Sequence, residues 1–233
     1  MGQPLYQKVI DTVVARIASG ELLPGGILPS EMQLAAEIGV SQGTARRALT
    51  LLEQHGILRR EQGRGTFVTA RTPDSSLFNF FRLREQDGSL IRPEIVEETI
   101  TQRQATREES GSLYGDPTSV YQINRIRSLS GINCTMETSV LPAAMFAGLE
   151  HRAPLPSALY ILYQQAYSCI VLKAEEIIVS VAATPEQAKA LNIAPSSPLL
   201  QVERVAFDIF GRPIERRRSV YRTDRYSYRV TLD

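Results

Sequence analysis

The segment from Leu28 to Val68 constrains this chain more than any other. It opens on Leu28-Pro29-Ser30-Glu31, places Leu34, Ala35 and Ile38 at helical spacing, and stops at Gly39. Ser30 suits an N-cap, because its hydroxyl can accept from an orphan amide of the first helical turn. Val40-Ser41 opens a second helix over 42–54, with Ser41 as its cap. Projected at about 100° per residue, that helix turns Ala45, Ala48, Leu49 and Leu52 to one side. Gln42, Gly43, Arg46, Arg47 and Thr50 fall on the other. A further amphipathic helix precedes the pair, with Leu5, Val9, Ile10, Val13, Val14 and Ile17 in register over 5–19 and a loop at Pro24-Gly25-Gly26 behind it.

The stretch after the second helix of the pair decides its reading. Gly56 ends that helix, Ile57–Arg60 reads as a strand, Gly63-Arg64-Gly65 makes a turn, and Thr66–Val68 returns. The result is a short hairpin with an arginine at its tip and glycines that let backbone approach a groove. Two helices joined by a glycine turn, then such a hairpin, is the layout of a winged helix-turn-helix. Its exposed helix face offers Arg, which can read guanine or hold phosphate, and Gln, which can read adenine. Residues 42–71 hold six arginines against two acids on a chain whose net charge is only +1. A basic surface confined to one region suits a polyanion, although a solvated charged face gives the same count.

The run LPSEMQLAAEIGVSQGTARRALTLLEQHGILRREQGRGTFV resembles the DNA-binding domain of the GntR family of bacterial regulators. The resemblance implies that Ser41, Thr44, Arg46, Arg47 and the wing residues Arg64 and Gly65 match DNA-contacting positions. Ser30 and Gln42 complete the candidate DNA-binding set. Gln42 stands where many family members carry Arg, and Met32 where some do, so operator preference is expected to differ.

Residues 69–76, TARTPDSS, read as a linker, and Leu77–Phe81 as an aromatic segment that docks on the second domain. From about residue 90 the chain is strand-rich, at Glu94–Ile100, Val120–Leu129, Asn133–Leu141, Ile170–Val181, Leu199–Phe210 and Ile214–Leu232. Helices open near Ser157 and at Pro185, the latter capped by Thr184. Strand runs with few helices predict an α+β fold built on an antiparallel sheet. The expected division is a DNA-binding domain over 1–70, a linker and docking segment over 71–89, and a second domain over 90–233.

The second domain resembles the ligand-binding (UTRA) domain of the HutC subfamily, whose fold is similar to chorismate lyase. The pieces that match are Arg125-x-Arg127, Gly131, Glu137, Ala158-Leu159-Tyr160 and Arg204 through Gly211-Arg212-Pro213-Ile214-Glu215. Strand alternation puts Tyr121, Ile123, Arg125, Arg127 and Leu129 on one face. Two inward guanidinium groups want an anion, supplied either by Glu137 or Glu215 or by a bound ligand, unless the arginines sit at a sheet edge and reach solvent. The resemblance implies effector binding at Arg125, Arg127, Glu137, Tyr160 and Glu215. Sugar-phosphate-binding members carry Ser where this chain has Ala158, with Ser157 one residue away, which weakens a phosphate and leaves small carboxylates open. Arg204 is expected in a structural ion pair, and Arg216-Arg217-Arg218 to alternate faces.

The remaining chemistry narrows the function class. Two cysteines outside CxxC spacing read as free thiols, and two isolated histidines offer no metal site. There is no apolar run of membrane-spanning length and no leader pattern, so a cytoplasmic protein is expected. No cofactor, metal or catalytic residue is expected. The leading expectation is a homodimeric repressor binding an inverted-repeat operator on double-stranded DNA, controlled by a small anionic effector, carboxylate or phosphate. The alternative from another class is a chorismate-lyase-like enzyme acting on a small acid.

Overall fold

The computed structural model describes residues 4–54, 56–69, 82–85 and 93–230. Both the aromatic segment Leu77–Phe81 and most of the linker lie outside them. Contacts divide the chain into two units, 1–75 with 160–170, and 76–159 with 171–233. In this division the helix opening near Ser157 belongs, from Tyr160 onward, to the first unit.

The first unit begins with α1 (Leu5–Ala18), α2 (Glu31–Ile38) and α3 (Gln42–Gln54). Their apolar stripes meet in one core: Val9, Val13, Leu34, Ala45, Ala48, Leu49 and Leu52 are all buried. Ser30 caps α2 reciprocally, accepting from Gln33 N–H while the Gln33 side chain accepts from Ser30 N–H. Gly39 ends α2 in the left-handed region, with φ of 75°, where a side chain would be strained. Strands β1 (Leu58–Glu61) and β2 (Gly65–Val68) form the wing, each one residue off its sequence-based limits. The expected loop at Pro24–Gly26 also feeds the wing. Gly25 N–H donates to Val68 O, Val68 N–H to Gly26 O, and Leu28 N–H to Thr66 O. Helix α5 (Leu159–Tyr167) completes this unit from Tyr160 on.

The second unit is a six-stranded antiparallel sheet in the order β4-β5-β6-β9-β8-β7. Its strands are β4 (Glu94–Gln104), β5 (Ser119–Leu129), β6 (Ile132–Pro142), β7 (Val171–Ala182), β8 (Pro198–Asp208) and β9 (Pro213–Arg222). The β5–β6 turn is two residues, Ser130 and Gly131, both at positive φ, as a tight hairpin requires. One sheet face is covered at one end by α6 (Pro185–Leu191), through Ala188 and Leu191 on Leu199 and Val220. On the other face lies a two-stranded ribbon, β3 (Leu83–Glu85) with β10 (Tyr226–Tyr228), packed on Leu129, Cys134, Val202 and Tyr221.

Most strand limits fall within a residue of the sequence reading, and three differ by more. The strand expected to reach Phe210 stops at Asp208, whose carboxylate accepts from Phe210 and Arg212 N–H and closes the turn. The strand expected to run to Leu232 breaks after Arg222, where Arg222 and Asp224 pair through two contacts of 2.8 and 2.6 Å. Strand β4 runs on to Gln104 and leads into α4 (Arg107–Ser112), which the sequence reading missed. A Thr106–Glu109 capping box starts α4, and Arg103 holds Glu109 through paired bonds of 2.8 and 2.7 Å.

Candidate functional site

In the first unit the exposed side of α3 carries the residues expected there. Gln42, Gly43, Arg46 and Arg47 are exposed, and Thr44 and Thr50 are half-buried. Ser41 Oγ accepts from Thr44 N–H and lies 2.8 Å from the Thr44 hydroxyl, so both hydroxyls belong to the start of α3. The two arginines are held differently. Arg46 Nε donates to Glu31 at 2.9 Å, while the Arg47 guanidinium lies over the Tyr6 ring of α1, 4.6 Å from its centroid. Glu31 also accepts from Arg60 at the base of the wing, and Arg60 bonds Thr50 of α3. One carboxylate therefore ties α2, α3 and β1 together. It was not singled out in the sequence, because its partners come from three separate elements.

At the wing tip, Arg64 is 73% exposed and reaches Glu61, which also pairs with Arg59. Both arginines lie near the Phe67 ring. Gly65 sits at φ of 122°, and a Cβ there would meet Ile27 Cδ1 at 3.1 Å. The glycine is thus demanded by the turn itself, whatever else its backbone does.

In the second unit, Arg125 and Arg127 are both 2% exposed and lie on one face of β5, as alternation predicts. Arg127 donates to Glu137 from Nε at 2.9 Å and from Nη2 at 2.7 Å. Two further bonds go to Ser157, from Nη1 to the hydroxyl at 2.7 Å and from Nη2 to the carbonyl at 3.1 Å. The serine one residue before the family position is therefore the one that meets the arginine, while Ala158 packs into the cluster around Leu129 and Tyr221. Arg125 does not take Glu137 as its hydrogen-bond partner. It donates to Glu98 of β4 from Nε at 2.8 Å, and Glu98 also accepts from Leu155 N–H. Sequence reasoning missed Glu98, whose register opposite Arg125 follows only from the β4–β5 pairing after a bulge near Val96.

Glu137 sits at the electrostatic centre of this face. Burial would raise its carboxyl, but Arg127, Arg217 and Arg125 outweigh it and hold the pKa down at about 2. Burial pulls Arg125 below its ordinary value, against Glu137 and Glu98. Glu215 is fully buried and accepts from Arg217 at 2.7 and 3.1 Å. Arg204 pairs with Glu176, the structural ion pair expected. The run Arg216-Arg217-Arg218 alternates faces: Arg217 reaches Glu215, Arg216 reaches Glu108, and Arg218 reaches Gln201. Four of the five residues expected to bind an effector thus share one buried face. Tyr160 is counted with the first unit, where its ring lies 5.7 Å from that of Tyr163.

A cleft of about 910 Å³ opens on the opposite sheet face, lined by Thr99, Gln122, Asn124, Thr138, Arg218 and Gln187 among others. Its polar groups answer one another: Thr138 and Gln122 donate to Asn124, and Asn124 donates to Thr99. Among the described residues, no group of His, Cys, Asp and Glu could hold a metal ion. Neither cysteine forms a disulfide, both are buried, and burial pushes the Cys134 thiol up to about 12. No described helix is long and apolar enough to cross a membrane.

Family comparison matches both units. Residues 5–68 match the gntR family of bacterial regulatory proteins, and 98–227 match the UTRA domain. The chain belongs to the GntR family. It carries the UTRA domain of the HutC-like members and is a DNA-binding transcription regulator. The transcriptional repressor NagR of Bacillus subtilis is 30% identical over 240 residues, covering 99% of this chain and 95% of that protein. The mannosyl-D-glycerate transport/metabolism system repressor MngR of Escherichia coli is 26% identical, covering 97% and 95%. The ligand-binding domain of a GntR-family regulator from Bordetella bronchiseptica superposes with a TM-score of 0.58 at 30% identity, over 65% of this chain and 96% of that one. These relatives are named as regulators, not enzymes, which removes the lyase alternative.

Proposed function

We propose that this GntR-family regulator is a homodimeric repressor whose hold on an inverted-repeat operator is controlled by a small anionic effector. Residues 1–70 read DNA and 90–233 sense the effector, with 71–89 between them. The α3 face from Gln42 to Arg47 enters the major groove, with Ser30, Ser41 and Thr44 at helix N-termini beside phosphates. Arg64 and Gly65 of the wing reach the adjacent minor groove. A two-fold dimer presents two such helices about one turn of DNA apart.

The observation that carries the effector reading is the pair Arg125 and Arg127, buried side by side on one strand with Ser157, Glu137 and Glu215. A fold that needed these positions only for packing would be served as well by apolar side chains. An anion bound there shifts the populations of DNA-competent and DNA-incompetent arrangements. Gel shifts on the region upstream of its own gene, repeated with a panel of small acids, test both parts. Sequence-dependent binding altered by one acid, and insensitive to that acid in Arg127→Ala, is the expected result. Binding that ignores sequence, or an acid response that survives Arg127→Ala, would sink the reading.

A further inference from the structure

Among the described residues of the arginine-bearing sheet face, the donors Arg125 Nη1 and Ser139 Oγ lack a hydrogen-bond partner, in residues 2% and 1% exposed. Ser139 lies on β6, opposite Ile123 of β5, one same-face step beyond Glu137, which is itself opposite Arg125. Arg125 and Ser139 are therefore diagonal neighbours on adjoining strands. Buried donors are almost always satisfied, and orphaned ones call for an explanation. The sequence left open whether Arg125 meets a carboxylate of the chain or a bound ligand, and it did not single out Ser139.

The rest of the Arg125 fork is already engaged. Glu98 Oε2 takes Nε and Nη2, the latter at 2.6 Å, and Nη2 also donates to the Pro156 carbonyl. The same balance holds across the face: Arg127 pairs with Glu137, Arg217 with Glu215, and Arg204 with Glu176. Each of the four guanidinium groups has its own carboxylate. A dianion would add two negative charges to a buried, balanced site beside Glu98 and Glu137, at a steep desolvation cost. A single carboxylate adds one charge and brings the acceptor oxygens that the two orphaned donors want.

We propose that Arg125 Nη1 and Ser139 Oγ form a subsite for one carboxylate oxygen of a singly charged effector, and that Glu98 is a built-in competitor that excludes dianionic phosphate esters. This rests on the reading of the Arg125–Arg127 face as the effector site, and it names the ligand class. Ser139 is then a direct contact, while Glu98 sets specificity by occupying the fork of Arg125.

The test uses inorganic phosphate as the probe, titrated calorimetrically into the full chain at about pH 8, where it is a dianion. The wild type is expected to bind it negligibly. Glu98→Gln and Glu98→Ala are each expected to gain affinity by about tenfold or more, since the fork is then open to an outside anion. Adding Ser139→Ala to Glu98→Gln is expected to cost most of that gain. Circular dichroism melts identify any variant that fails to fold, and the glutamine and alanine variants back each other up. Phosphate binding in the wild type as tight as in the variants, or none in either folded variant, overturns the proposal. A gain unchanged by Ser139→Ala removes Ser139 from the subsite. Operator binding on the same samples reports separately on the regulator reading, since it does not depend on whether phosphate binds.

Discussion

Replacing Glu137 by alanine should upset the second unit's charge balance at its centre. The carboxylate is fully buried, and Arg127 places two N–H bonds on one of its oxygens. Removing it leaves Arg127 buried without that carboxylate, its bonds to Ser157 remaining. The size of the loss follows from two routes. The gap between the ordinary carboxyl value of 4.5 and about 2, at about 1.4 kcal/mol per pH unit, is about 3 kcal/mol. Breaking a buried ion pair by deleting one partner costs about 3–5 kcal/mol. For a unit of this size that is a drop in Tm of about 6–20 °C. The sign with pH is fixed as well. Because the folded value lies below the ordinary one, the contribution is complete above 4.5 and is lost as pH falls toward 2. Thermal melts by circular dichroism at pH 7 and in steps down to acid should show the wild type losing this component, and Glu137→Ala lacking it. The double variant Arg127→Met with Glu137→Met should recover most of the loss, because no lone charge remains. A Tm within about 2 °C of wild type for Glu137→Ala, or a double variant no better than the single, would refute the reasoning.

Arg46→Ala should lower operator affinity by about 1–3 kcal/mol while leaving the melt unchanged, because the side chain is 65% exposed; fluorescence anisotropy and a melt on the same sample decide it. Arg64→Ala should weaken binding to all sequences alike and reduce the slope of log affinity against log salt by about one, as anisotropy over a salt series will show. Ser30→Ala removes one half of the α2 capping box and should cost about 1 kcal/mol, read as a lower urea midpoint at unchanged m. Gly65→Val forces a β-branched residue to φ of 122° against Ile27 and should cost about 1–3 kcal/mol, with faster amide exchange confined to the wing.

The helices and wing of the first 70 residues were legible in the sequence because their signals are local. Caps at Ser30 and Ser41, the glycine at position 39 and the 3.6-residue stripe of α3 each act within a few residues, and the helices fall within a residue or so of where those signals put them. The strands of the second unit were legible by alternation, and so was the shared face of Arg125 and Arg127. Limits such as those at Asp208 and Arg222 were not, because they are set by turns whose ion pairs form only once the chain has bent.

What the sequence by itself determined is which side chains point together along a single element: Gln42 with Arg46 on α3, Arg125 with Arg127 on β5. What only the tertiary structure decided is who answers them across elements. Glu31 answers Arg46 over 15 residues, and Glu98 answers Arg125 over 27. Ser157, not position 158, meets Arg127. Ser139 and Arg125 Nη1 are left unanswered. Helical and strand periods are properties of one backbone, whereas strand register and ion-pair choice depend on which segments pack together, and a one-residue bulge such as that near Val96 is enough to reassign them.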